Sequence, residues 1–134
     1  MTRKTAMISG VNGQDGSYLS DFLIDKGYVV IGLKRRTVGP DDYKYRNIKH
    51  LLGNSSFILE DADITDSASI YRLISSYGPD EYYNLAAQSH VGISFKTPVS
   101  TTEINLMGCL HALEAIRIIK PECKFYQAST SEMF

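Results

Sequence analysis

The sequence predicts an α/β domain, a doubly wound parallel sheet with helices on both faces. Three observations predict it. Short apolar runs alternate with helical patterns five times, which argues right-handed crossovers between parallel strands. The run Val29-Val30-Ile31-Gly32-Leu33 is nearly continuous and rich in β-branched residues, as in a strand covered on both faces. The first apolar run passes into a helical stretch through Gly10-Val11-Asn12-Gly13-Gln14-Asp15-Gly16, a turn with glycine at every third position. The expected strand order is 3-2-1-4-5. The ligand crevice then falls at the C-terminal ends of strands 1 and 4, where the order reverses.

The elements follow in order. Thr5 to Ser9 reads as the first strand. Ser17 to Lys26 is an amphipathic helix that places Leu19, Phe22 and Leu23 inward, with Gly27 as its left-handed stop. Tyr28 to Leu33 is the second strand and carries Lys34-Arg35-Arg36 at its end. Gly39-Pro40 marks a loop, after which Asp41 or Asp42 can cap a helix running to Leu52, with Tyr45, Ile48, Leu51 and Leu52 in its pattern. Phe57 to Leu59 is a short third strand, and Glu60 to Asp66 a loop. Ser67 to Tyr77 is a helix capped by Asp66, with Ile70, Leu73, Ile74 and Tyr77 inward and Gly78-Pro79 as its stop. Glu81 to Ala87 is the fourth strand. A long helix covers Thr101 to Lys120 and buries Ile104, Met107, Leu110, Leu113, Ala115, Ile116 and Ile119. Lys124 to Ala128 is the fifth strand.

Composition bounds the function. At 134 residues the chain is one domain at most, 43% apolar and 22% charged, as in ordinary globular proteins. A net charge of −1 gives no global field to recruit nucleic acid or an anionic membrane. No segment is long enough for a membrane span, and no signal-peptide core precedes the first strand. Cys109 and Cys123 are too few and too far apart for a zinc site or a disulfide framework. They read as buried or half-buried thiols of a reducing compartment, and the expectation is a cytoplasmic protein with no metal.

The glycine turn carries the first chemical reading. Glycines lack a Cβ, so the backbone at Gly10, Gly13 and Gly16 can turn tightly and approach a ligand. The turn opens a helix whose N–H groups and positive dipole end suit a pyrophosphate. The strand–turn–helix context is the one a dinucleotide fingerprint requires. At the end of the second strand an acidic residue would bind the ribose 2′-hydroxyl. Arg35 and Arg36 stand there instead and fit a 2′-phosphate, which favours NADP over NAD. Asp63 can accept from the adenine amino group while Ile64 packs on the ring; a solvated acidic loop is the plainer alternative. Leu85-Ala86-Ala87-Gln88-Ser89, after the fourth strand, leaves room for ribose and nicotinamide near the backbone. His90 by itself is more plainly a structural histidine than a catalyst. Ser129-Thr130-Ser131-Glu132, after the fifth strand, gathers hydroxyls and a carboxylate that could bind a reacting hydroxyl and move a proton.

Four segments together closely resemble the GDP-mannose 4,6-dehydratase family of extended short-chain dehydrogenases/reductases. They are Gly-Val-Asn-Gly-Gln-Asp-Gly-Ser-Tyr-Leu at 10–19, Lys-Arg-Arg at 34–36, Tyr-Asn-Leu-Ala-Ala-Gln-Ser-His-Val at 83–91 and Phe-Tyr-Gln-Ala-Ser-Thr-Ser-Glu at 125–132. The resemblance implies a Rossmann-like domain over 1–134 that holds NADP as a redox shuttle. Hydride leaves C4 of the mannose of GDP-mannose, water is lost across C5 and C6, and hydride returns to C6. Thr130 would hydrogen-bond the C4 oxygen, Glu132 would act as base at C5, and Ser89 and Ser131 would contact substrate. Gly10 to Asp15 with Gly16, Arg35, Arg36, Asp63, Ile64 and Leu85 to Ser89 would bind the cofactor.

Three departures stand beside the resemblance. Ser100 occupies the place of a family tyrosine that helps bind cofactor, and Thr37 to Arg46 differ from the family's serine-rich loop. The superfamily's Tyr-x-x-x-Lys, expected on a helix after the fifth strand, does not occur at that point before Phe134. The expectation is therefore a dehydratase truncated after its fifth strand, without its substrate domain and inactive alone. It carries an open sheet edge near Phe125 and Tyr126 that self-associates or is disordered. A free-standing NADP(H)-binding module and a fragment of a related sugar-nucleotide epimerase or reductase are the alternatives.

Overall fold

The computed structural model describes residues 3–35, 45–85 and 98–127. Within them the strands are β1 (Thr5–Ser9), β2 (Val29–Lys34), β3 (Phe57–Asp61), β4 (Glu81–Asn84) and β5 (Lys124–Gln127). The helices are α1 (Gln14–Asp25), α2 (Ser67–Tyr77) and α3 (Pro98–Ile119). Every strand pair is parallel, and the order is β3-β2-β1-β4-β5, as the sequence predicts. The register sets Met7 opposite both Ile31 and Tyr82, Ile31 opposite Ile58, and Tyr82 opposite Phe125.

The core has two layers, which explains why β2 reads as a nearly unbroken apolar run. Alternate residues of a strand point to opposite faces. Met7, Ile31, Leu33 and Tyr82 meet Ile70, Leu73 and Ile74 of α2 and Ala112, Ala115 and Ile116 of α3 on one face. Ala6, Ile8 and Val30 meet Leu23 of α1 with Ile48 and Leu51 on the other. Each fully buried aliphatic side chain here contributes about 1.5–3 kcal/mol. Gly32 is where the second layer is tightest. A Cβ there would lie 2.8 Å from both γ carbons of Val11 and 3.0 Å from the Phe57 ring.

Local signals act as the sequence implies at several ends. The Asp66 carboxylate caps α2 by accepting from the Ala68 N–H, and Gly78 closes it at φ +52°. Asp80 joins three elements. Its carboxylate accepts from the Thr5 N–H (2.9 Å) and from Lys120 Nζ (3.1 Å), just past α3. These bonds, the backbone one first, hold its carboxyl below the usual range.

Other expectations are corrected. The helix expected from Asp41 or Asp42 to Leu52 is helical at Tyr45, the first described residue of that stretch, and then gives way to a turn at 46–48 and a short 3-10 helix, Lys49–Leu51, with Leu52 exposed. Positions 41–44 lie outside the described residues. α1 begins at Gln14 rather than Ser17, because the helix grows directly from the glycine turn. β2 runs from Val29 to Lys34, and β3 continues to Asp61, since its ladder with β2 extends that far. β4 ends its ladder at Asn84.

Phe22 is exposed, not buried, and lies under the Lys26 ammonium at 4.8 Å. Met107, Leu110 and Leu113 of α3 also face outward. The helix turns Gly108, Ala112 and Ala115 inward instead, because small residues let it lie close to its neighbours. Tyr126 of β5 is 45% exposed and Phe125 is half-buried. Among the described residues no helix is long and apolar enough to cross a membrane.

Candidate dinucleotide-binding site

The glycine turn is built from backbone bonds. Gly10 adopts φ +70°, a conformation that side chains disfavour, and this turns the chain sharply at the end of β1. The N–H groups of Gly10 and Val11 both donate to the Leu33 carbonyl, at 3.0 and 3.2 Å. The Gly13 N–H donates back to the Gly10 carbonyl at 3.1 Å and closes the turn. Val11, fully buried, drives into the space that Gly32 leaves. Gly13 is the extended residue before α1, and no side chain caps that helix. Its first-turn N–H groups therefore keep their partial positive charge for a ligand.

Gly16 is where the helix comes closest to the turn. A Cβ there would lie 2.7 Å from the Gly10 carbonyl oxygen and from Val11 Cα. Gly13, Gln14 and Asp15 are exposed on the rim, while Asn12 is half-buried. Asn47 braces the turn from outside. Its Nδ2 donates to the Asn12 carbonyl (3.1 Å), and its carbonyl accepts from the Ser17 hydroxyl (2.5 Å).

Beyond the ends of β2 and β3 lies a cavity of about 520 Å³, lined by Arg35, Asp61, Ala62, Asp63, Asp66 and Ser69. Asp63 accepts from the hydroxyl (2.6 Å) and N–H (2.9 Å) of Thr65. The Thr65 hydroxyl first, then its N–H, with Arg35 adding, hold this carboxyl below the usual range. It is an acceptor at neutral pH. Ile64 beside it is half-buried and fixed from α3. His111 Nδ1 lies 2.9 Å from the Ile64 carbonyl, and a Cβ on Gly108 would lie 2.5 Å from Ile64 Cδ1.

On the other side of β1, the Leu85 N–H donates to the Ser9 carbonyl at 3.2 Å, and Leu85 packs against the second core layer. Ser9 Oγ donates to Asn84 Oδ1 (2.7 Å), and Asn84 Nδ2 to Gln127 Oε1 (2.7 Å). A polar row thus links the C-terminal ends of β1, β4 and β5.

The fold sets Gly10, Asn12, Gly13, Gln14, Asp15, Gly16, Arg35, Asp63, Ile64 and Leu85 after the C-terminal ends of β1 to β4. Arg36, Ala86, Ala87, Gln88, Ser89, Thr130, Ser131 and Glu132 lie outside the described residues. Two perturbed phenols, Tyr28 and Tyr83, meet at the opposite end of the sheet. There Glu81 accepts from the hydroxyls of Tyr28 (2.7 Å) and Tyr83 (2.6 Å). The bond to Glu81 and burial push Tyr28 up to about 12.

Sequence reasoning missed Asn47, the Ser9–Asn84–Gln127 row and a Lys34–Asp61 ion pair of 2.8 Å. Asn47 gave no signal, since it acts through turn geometry. A polar residue at each of three strand ends was a usable one.

The model of a family described as GDP-mannose 4,6 dehydratase matches residues 7–134. A GDP-mannose 4,6-dehydratase of Vibrio cholerae is 48% identical over 139 residues, covering 98% of this chain and 37% of that protein. The chain thus spans little more than a third of the length of the curated relative it matches. A UDP-glucose 4-epimerase structure from Thermotoga maritima, with UDP-glucose, shares the fold at a TM-score of 0.78 and 28% identity; it covers 94% of this chain and 38% of that one. A Thermus thermophilus UDP-glucose 4-epimerase in complex with NAD gives a TM-score of 0.69 and 26% identity, over 84% and 33% of the two chains.

Proposed function

The chain belongs to the GDP-mannose 4,6-dehydratase family, and from that premise we propose that residues 1–134 are the NADP-binding portion of a dehydratase that converts GDP-mannose to GDP-4-dehydro-6-deoxy-mannose. One observation carries the cofactor reading: the cradle at Gly10 to Gly16. Its helix is uncapped, and at Gly16 a Cβ would strike backbone at 2.7 Å. Such a cradle fits a pyrophosphate and little that is bulkier.

Gly10, Asn12, Gly13, Gln14, Asp15 and Gly16 hold the pyrophosphate in this reading. Arg35 and Arg36 hold the 2′-phosphate, Asp63 and Ile64 the adenine, and Leu85 to Ser89 the ribose and nicotinamide. NADP, when bound, supplies a hydride acceptor that later returns the hydride. Thr130 hydrogen-bonds the C4 oxygen of the sugar, Glu132 takes the C5 proton, and Ser89 and Ser131 contact substrate. These catalytic and substrate roles rest on family resemblance.

We assign the protein to the cytoplasm, in keeping with Cys109 and Cys123, which form no disulfide. We also infer self-association. Among the described residues β5 is the outer strand of the sheet, and an exposed Tyr126 lies on it.

The test has two stages. Calorimetric titration of this chain with NADPH is expected to give a micromolar or tighter dissociation constant; no binding at millimolar NADPH refutes the cofactor reading. Mixing the chain with the remaining two thirds of a family member is expected to yield a 4-keto product from GDP-mannose. Associated halves that bind NADP and form no such product refute the substrate assignment.

A further inference from the structure

The cavity beyond β2 and β3 is acidic for a place that should receive a phosphate. Three carboxylates line it, Asp61, Asp63 and Asp66, against one guanidinium, Arg35, among the described residues. Each carboxylate has a partner, but the partners differ in charge. Asp63 accepts from the neutral Thr65, and Asp66 from the backbone at the start of α2. Asp61 alone of the three is paired with a described cation, Lys34 Nζ, at 2.8 Å.

Lys34 is unusual for a lysine. It is the last residue of β2, and its side chain is only 5% exposed, whereas that of Asp61 is 46% exposed. Its ammonium lies 5.6 Å from the Tyr45 ring centroid. It sits directly opposite Asp61 in the strand register, and the Ala62 N–H donates to its carbonyl at 2.9 Å. Burying an ammonium is costly unless a partner compensates it. A strand-end position at the surface of a sheet does not by itself require one.

We propose that Lys34 is a specificity-determining residue: by neutralising Asp61 it removes the carboxylate charge that would repel a 2′-phosphate, and so tilts dinucleotide preference toward NADP. The inference rests on the cofactor reading above and adds a residue to it. Lys34 acts through Asp61. It is a positioning residue for charge, distinct from Arg35, whose guanidinium lines the cavity itself. The preference then has two parts, direct attraction by Arg35 and removal of repulsion by Lys34.

The experiment is a double-mutant cycle on this chain, Lys34→Met and Asp61→Asn, singly and together. Dissociation constants for NADPH and NADH are measured by calorimetry at low and high salt. Lys34→Met is expected to lower the NADPH-over-NADH preference about fivefold at low salt and less at high salt, as the loss of one screened unit charge near the 2′-phosphate would. Asp61→Asn is expected to raise the preference, and the double variant to return it to within about twofold of the wild type. A purely structural role for the pair would weaken both dinucleotides alike and give no such return, and that result overturns the proposal. If Lys34→Met does not fold, Asp61→Asn still decides, since its side chain is half exposed; an unchanged preference in that variant overturns the proposal. A wild-type chain that binds NADPH and NADH equally well, or neither, overturns the cofactor reading and this inference together. A wild type that prefers NADPH, with variants that do not change the preference, overturns this inference alone.

Discussion

Gly16→Ala puts a single methyl group where α1 meets the glycine turn. The new carbon would lie 2.7 Å from the Gly10 oxygen, 2.7 Å from Val11 Cα and 2.8 Å from the Val11 oxygen. All three are backbone atoms, so no rotamer change relieves the contact. Either α1 slides outward by roughly an ångström or the turn opens. Overpacking of this kind costs about 1–3 kcal/mol. Alanine returns about 1 kcal/mol in helix propensity. A net loss of up to about 2 kcal/mol remains. With an unfolding entropy of about 2.1 cal/mol/K per residue, the melting temperature of a domain this size falls by up to about 7 °C. Because the displaced atoms form the cradle, NADPH affinity should fall at least about tenfold, since misplacement by an ångström is costly for oriented binding. Thermal unfolding by circular dichroism and NADPH calorimetry measure both. Gly13→Ala is the control. Its Cβ would meet Gly10 O at 3.4 Å, an ordinary contact, and its φ is −77°. Its stability should change by less than about 1 kcal/mol. A Gly16→Ala variant that melts with the wild type and binds NADPH as tightly would refute the close-packing argument.

Three further outcomes are expected. Arg35→Ala should weaken NADPH about 10- to 100-fold and NADH little, because charge-assisted hydrogen bonds to the extra phosphate are lost; equal losses for both cofactors would count against the 2′-phosphate role. Asp66→Ala should destabilise the fold by about 1 kcal/mol, read from urea midpoints, by removing the cap that Ala68 N–H donates to. Asp80→Asn should cost about 1 kcal/mol at neutral pH, discounted for its partial exposure. Asp80 has its folded pKa depressed, so its contribution is present above the unfolded carboxylate value near 4 and is lost as pH falls through the lower folded value. The variant and the wild type should therefore converge in stability once pH has fallen through that lowered folded value, and a gap that persists in acid would be inconsistent with this linkage.

The layers of the fold were legible because β1 and α2 carry undiluted local signals. Thr5–Ser9 and Ser67–Tyr77 have the bounds the sequence gives them, with Asp66 and Gly78 as punctuation. The facing of α3 was not legible. The helix is apolar on more than one side, so helical spacing finds a stripe without saying which stripe meets the sheet. Bulk favours Met107, Leu110 and Leu113, but close approach to Ile64 selects Gly108. The site was legible where its chemistry is backbone chemistry, at Gly10 to Gly16. It was not legible where it depends on strand register. Lys34 belongs to Asp61 only once β2 and β3 are aligned.

The Leu33 carbonyl accepts from both Gly10 and Val11, and Arg35 follows two residues later, just past the end of β2. The glycine turn and Arg35 therefore both hang from the C-terminal end of one interior strand. Loops that bind ligands usually draw on the least stable parts of a protein. This turn does not: the Gly10 and Val11 amides can exchange with solvent only when β2 itself lets go. In deuterium-exchange measurements they should be protected with the central strands rather than with the surface loops. The binding loop would be rigid before any ligand arrives, and little ordering entropy would remain to oppose binding.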